Sequence, residues 1–196
     1  MNKIEVKKLH TFLGHNESIY TLQALDDSRF ISAGGDGMIV LWDLKSPDEG
    51  EVIVKIPSSV YALTYDANEG CLYAGQNGQG IHKIDLKTKK ELKSIHLGDN
   101  QIFALQIIDD QLWVGLANGE IIILSKELVI ENRVKYSSDR IRSIQEMGDE
   151  IAVACSDNTI KIVDPRNMEV KHSLAGHKNS VFAAKFHPSG KYLLSV

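Results

Sequence analysis

An interval of about forty residues governs this chain. An apolar residue followed by Tyr, Phe or Arg recurs at Ile19-Tyr20, Val60-Tyr61, Ile102-Phe103, Ile141-Arg142 and Val181-Phe182, at spacings of 41, 42, 39 and 40 residues. The residue that closes each unit, Asp43, Asp85, Ser125 and Asp164, keeps the same period, at 42, 40 and 39 residues. Two landmarks with one period mean a stacked or radial array of supersecondary units, each unable to bury its apolar face alone.

Within each unit the pattern is that of short strands. The first reads as strands at about 18–25, 29–34, 38–44 and 51–56, with Asp36-Gly37 and Ser46–Gly50 as turns. The second, third and fourth repeat that order, and the fifth breaks off after Lys191–Val196, before its own turn and third strand. No segment shows a convincing 3.6-residue period, so almost no helix is expected. Residues of about 4–13 alternate well enough to be one more strand.

The first unit opens on Gly14-His15 and closes on Trp42-Asp43, with Ser32 and Asp36 between them. On these residues the chain resembles the WD-repeat β-propeller family, whose mark is a Gly-His to Trp-Asp unit of about 40 residues folding into a four-stranded blade. The fold class expected is all-β, with four-stranded antiparallel blades, about four complete and a partial fifth. The whole of 1–196 is one propeller, with repeats at about 9–50, 51–90, 91–127 and 128–168 and an incomplete one at 169–196. The resemblance implies seven blades, about 280 residues in all, so the chain is expected to be the N-terminal part of a longer propeller. The rival is a five-bladed ring. By resemblance the N-terminal strand closes the ring on the last blade; in the five-bladed form it pairs beside Lys191–Val196.

The resemblance also gives His15, Ser32, Asp36 and Trp42 a role, a hydrogen-bonded network inside the blade. His15, Ser32 and Asp36 are equally the residue types of a hydrolase triad. They fall on structural positions of the repeat, however, and Ser32 has no nucleophile-elbow turn around it. The second, third and fourth units put Ala74, Val114 and Val153 at the serine position and Ile84, Leu124 and Val163 at the tryptophan position. Those units are expected to rely on apolar packing. The glycine-rich stretches Ala33–Gly37 and Gly75–Gly80 match no phosphate-loop fingerprint and read as turns. The seven histidines show no metal-ligand spacing, so no cofactor and no metal are expected.

Composition narrows the function classes. A formal charge of −4 argues against a nucleic-acid partner, which needs a basic face. The lysines between Lys83 and Lys93 read as a solvated turn and strand edge. Cys71 and Cys155 sit in apolar stretches without ligand spacing and read as reduced thiols of a cytoplasmic protein. The N-terminus shows no apolar signal region, and no run reaches the roughly 18 apolar residues of a membrane span.

The clue to function is the residue after each anchor. Core-facing positions in the first strands are i, i+3 and i+5: Ile19, Leu22 and Ala24, then Val60, Leu63 and Tyr65, then Ile102, Leu105 and Ile107. The residues at i+1, Tyr20, Tyr61, Phe103, Arg142 and Phe182, therefore lie off the core face. By resemblance they lie near the rim of the central channel, where partners dock; the alternative is that they pack between neighbouring blades. Aromatic residues and Arg are the types enriched at interaction hot spots, and Arg140 with Arg142 can take a carboxylate. The reading is a non-enzymatic scaffold that binds a protein or peptide segment at the channel mouth. Self-association through the open edge of the incomplete blade is a second expectation. The alternatives are a small-molecule or hydrolytic site in the channel, or a structural accessory domain of a longer chain.

Overall fold

The computed structural model describes residues 5–196. Its described residues form eighteen strands and no helix. The first sheet holds β1 (Ile19–Ala24), β2 (Arg29–Gly34), β3 (Met38–Asp43) and β4 (Glu51–Lys55), and the second β5 (Val60–Asp66), β6 (Cys71–Gln76), β7 (Gly80–Asp85) and β8 (Lys90–Ile95). The third holds β9 (Ile102–Ile108), β10 (Gln111–Leu116), β11 (Glu120–Ser125) and β12 (Ile130–Lys135). The fourth holds β13 (Ile141–Met147), β14 (Glu150–Cys155), β15 (Thr159–Val163) and β16 (Val170–Ala175); β17 (Ala184–Phe186) and β18 (Leu193–Ser195) make a two-stranded fifth. Every pairing is antiparallel, between strands adjacent in sequence. The chain is an all-β propeller of four complete blades and a partial fifth.

The blades stack face to face. Ile31, Ala33 and Ile39 of the first sheet pack against Val60 and Leu63 of the second. Tyr73 and Ile81 of the second meet Ile102, Leu105 and Val114 of the third, and Trp113 and Ile123 of the third meet Ile141, Ile144 and Val153 of the fourth. Each inner sheet is thus apolar on both faces, and its middle strands are buried runs such as Cys71–Gln76. The fourth strands β8, β12 and β16 lie outermost and almost wholly exposed. The first strands neighbour one another around a channel of about 770 Å³.

The structure corrects three expectations. Residues 5–13 form no strand and do not pair beside Lys191–Val196, whose partner is β17, so the expected N-terminal closure of a five-bladed ring is not formed by them; residue 4, also in that expected strand, lies outside the described residues. The reason lies in the first sheet, which holds this segment at its far end. The Phe12 ring sits 5.1 Å from Phe30 and 5.5 Å from Trp42, edge-on to both. Ile19 and Leu22 follow the core pattern yet are 50% and 65% exposed, because among the described residues no sheet packs on that side of the first. Lys83 is not solvated but 5% exposed, its Nζ 2.8 Å from Glu69 and 3.2 Å from Glu127 of the next blade. A buried ammonium is tolerable only when paired in this way.

Candidate functional site

The site begins with a backbone irregularity. Between β1 and β2 the register runs Ile19 to Gly34 and then Thr21 to Ala33, so Tyr20 has no partner. The same slip skips Tyr61 in β5, Phe103 in β9 and Arg142 in β13. In the fifth unit the N–H groups of Phe182 and Ala183 both donate to the Val196 carbonyl, at 2.7 and 3.2 Å, two residues opposite one. Each i+1 residue is therefore the extra residue of a β-bulge, a device that re-aims a side chain out of the pleat. It also explains the spacing of core positions. The bulge adds one residue, and the face that would recur at i+2 recurs at i+3.

Five bulges at one height bring five side chains together. The Tyr20 and Tyr61 ring centroids are 4.5 Å apart and those of Tyr61 and Phe103 are 5.2 Å apart. The Arg142 guanidinium carbon lies 4.6 Å from the Phe103 centroid and 4.9 Å from that of Phe182. These five residues alone line a cavity of about 390 Å³ that is continuous in its lining with the channel. Aromatic neighbours at such distances attract one another, and a guanidinium over a ring face adds cation–π attraction. Burial, and then the neighbouring Tyr20, push the Tyr61 hydroxyl up; burial, and then the Arg140 charge, press the Arg142 guanidinium down.

Arg140 does not join them. Its Nη1 is 3.1 Å from Asp139, and it does not line the cavity. It precedes both the bulge and β13 itself, so the slip at Arg142 does not re-aim its side chain. Arg142 instead donates from Nε to Ser156 Oγ at 2.9 Å, a contact the sequence reading did not identify.

The first-unit network lies apart from this cavity. Trp42 Nε1 donates to Ser32 Oγ at 2.7 Å, Ser32 Oγ is 2.7 Å from His15 Nε2, and His15 Nδ1 is 3.0 Å from Asp36. One set of protons satisfies the whole chain: indole N–H to hydroxyl oxygen, hydroxyl to Nε2, Nδ1–H to carboxylate. The fifth unit keeps part of it, with His177 Nε2 2.8 Å from Ser195 Oγ. The fourth unit does not rely on apolar packing alone. Ser137 stands four residues before its anchor, as His15 does, and donates to Asp157 at 2.8 Å. Counting back from Ile141 would have found it.

These turn carboxylates make stability sensitive to acid. Burial alone would raise both. Hydrogen bonds from Asn16, His15 and Met38 hold Asp36 below the usual carboxylate range, and Thr159 and Ser137 do the same for Asp157. The folded values lie below the unfolded value of about 3.9, so this contribution is present above about pH 4 and lost as pH falls through the folded values. Urea midpoints measured from pH 6 to pH 2 are expected to hold steady and then drop. The double variant Asp36→Asn, Asp157→Asn starts lower and drops less; an equal drop in both proteins removes this explanation.

Comparison with known proteins follows the same periodicity. Residues 6–43 and 168–196 match the family model described as WD domain, G-beta repeat. The chain is 26% identical over 148 residues to Shk1 kinase-binding protein 15 of Schizosaccharomyces pombe, covering 74% of this chain and 41% of that protein. It is 26% identical over 190 residues to the nuclear distribution protein nudF of Aspergillus niger, covering 96% of this chain and 39% of nudF. To the WD repeat-containing protein SL1-17 of Schistosoma mansoni it is 24% identical over 240 residues, covering 98% and 80%. The chain thus spans about two-fifths of the first two relatives and four-fifths of the third.

Proposed function

From the premise that the chain belongs to the WD-repeat family, we propose that it is a non-enzymatic scaffold that binds a peptide or protein segment on its channel-mouth face. The observation that carries this reading is the set of five bulges. Four first strands each skip one residue in their pairing, and the fifth unit sets two N–H groups on one carbonyl, presenting four aromatic rings and one arginine to one cavity. Bulges conserve neither hydrogen bonds nor regular pleat, and their typical use is to aim side chains at a site. Aromatic and Arg side chains are the ones that most often dominate binding energy. The name of Shk1 kinase-binding protein 15 describes a protein-binding protein, which supports a protein ligand here. Free, buried Cys71 and Cys155 support a reducing, cytoplasmic setting. Among the described residues no helix is long and apolar enough to cross a membrane.

Tyr20 and Phe182 are 48% and 60% exposed, so truncating both removes contact surface with little effect on the fold. Proteins recovered from a lysate with the wild-type chain as bait are expected to be lost with Tyr20→Ala, Phe182→Ala while the thermal midpoint is retained. Undiminished recovery would mean that the rings serve only to pack against one another.

A further inference from the structure

We propose that the mouth anchors its partner through an acidic side chain, held end-on by Arg142. The inference rests on the channel-mouth reading and adds the chemistry of the group that enters.

Arg142 has donors to spare. A guanidinium carries five N–H groups in one plane. Nε is used by Ser156 at 2.9 Å, and among the described residues no carboxylate lies within ion-pair distance of the rest. Three of the four other arginines have such partners, Arg29 with Asp26, Arg140 with Asp139 and Arg166 with Asp149; Arg133, on the exposed outer strand β12, shows none among the described residues. No acidic residue lines the mouth cavity. A partly buried guanidinium beside a second arginine, with Asp139 acting on it only from beyond ion-pair distance, favours an incoming anion.

The geometry selects among anions. The Phe103 and Phe182 rings both present a face to the guanidinium, each with its centroid less than 5 Å from Cζ. With Nε held by Ser156 and two rings packed beside it, the two Nη groups form the edge left for a ligand. A carboxylate is planar and pairs with that edge through two parallel hydrogen bonds. A tetrahedral phosphate would push oxygens out of the plane toward ring faces, whose electron-rich surfaces repel them. A side-chain carboxylate reaches into such a slot on a slim stem, whereas a chain-terminal carboxylate carries its own branched Cα next to it. The occupant is therefore a Glu or Asp within an extended segment. Its apolar neighbours lie on the Tyr20–Tyr61 rings to one side and on Phe182 to the other.

The test is selection of a phage-displayed random dodecapeptide library on the full chain. Selected peptides are expected to share one Asp or Glu beside apolar residues. A blocked synthetic peptide of the selected sequence should bind at least about tenfold more weakly when that residue is changed to Gln, the loss typical of a charged hydrogen bond. Arg142→Lys keeps the charge but not the paired in-plane donors, and should weaken the acidic peptide by a similar factor while leaving the Gln peptide unchanged. Thermal midpoints of both proteins check the fold. Peptides that need Tyr20 and Phe182 but show no acidic preference overturn the carboxylate inference and leave the mouth reading standing. Failure to select any peptide, or peptides indifferent to Tyr20→Ala, Phe182→Ala, overturns both.

Discussion

Trp42→Ala will lower the stability of the first sheet by about 3–5 kcal/mol, the range for emptying a buried tryptophan site. The indole is 2% exposed, and it packs against Phe12 and Phe30. It also fills the space next to Gly14 and Gly50, where an added Cβ would come within 3.0 and 2.5 Å of the ring. A gentler pair of variants separates packing from hydrogen bonding. Trp113 is 1% exposed, but its Nε1 has no hydrogen-bond partner, whereas Trp42 Nε1 donates to Ser32. Tryptophan to phenylalanine removes similar volume at both sites. At Trp42 it leaves the Ser32 oxygen without its donor; at Trp113 it removes a buried donor that was unsatisfied. Trp42→Phe should therefore destabilise by about 1–3 kcal/mol more than Trp113→Phe. The chain has two tryptophans, so each variant keeps one fluorophore to follow urea unfolding. Midpoint and slope must both be read, because a repeat array can lose one sheet before the others. Equal losses at the two sites would show that the hydrogen bond contributes nothing.

Gly37→Ala will destabilise by more than about 3 kcal/mol, in the class of backbone clashes at a special conformation. Gly37 has φ +70°, and a Cβ there would lie 2.1 Å from the Ile56 carbonyl oxygen. That oxygen cannot withdraw easily, because the Ile56 N–H is itself bonded to the Gly37 carbonyl at 2.9 Å. The third blade has the same construction at Gly119, with φ +84° and 2.1 Å to the Ser137 carbonyl oxygen. The control is Gly70→Ala. Gly70 has φ +67° with open space around its Cβ position, so only the left-handed conformation is penalised, at about 1–2 kcal/mol. Urea midpoints of the two variants rank the effects; if Gly70→Ala is as damaging as Gly37→Ala, the close approach to Ile56 is not the cause.

Much of this molecule was legible because its information is local. The forty-residue period marked four complete units and a partial fifth, and the alternating apolar runs marked their strands. The Gly-His, Ser, Asp-Gly and Trp-Asp positions of the first unit, to which the family resemblance gave a hydrogen-bonded network, are the residues joined in its hydrogen-bonded chain. Even the bulges left a trace: Ile19 to Leu22, Val60 to Leu63 and Ile102 to Leu105 are spaced by three where a regular strand spaces by two.

What only the tertiary structure decided is what each face meets. Ile19 and Leu22 carry the same pattern as Val60 and Leu63, yet one pair is exposed and the other buried, because burial depends on whether a sheet packs on that side. Lys83 looked like an edge lysine until Glu127 of the next blade reached it. Residues 5–13 alternate like a strand, but a strand needs a ladder, and nothing in their own sequence supplies the partner. Arg140 and Arg142 are two residues apart, and the sequence treated them as a pair. The bulge at Arg142 turned one toward Phe103 and Phe182 and left the other with Asp139. A sequence states the side-chain period along one strand. The angle between successive sheets, which stacks residues forty positions apart into a single cavity, is set by the packing of one whole blade on the next.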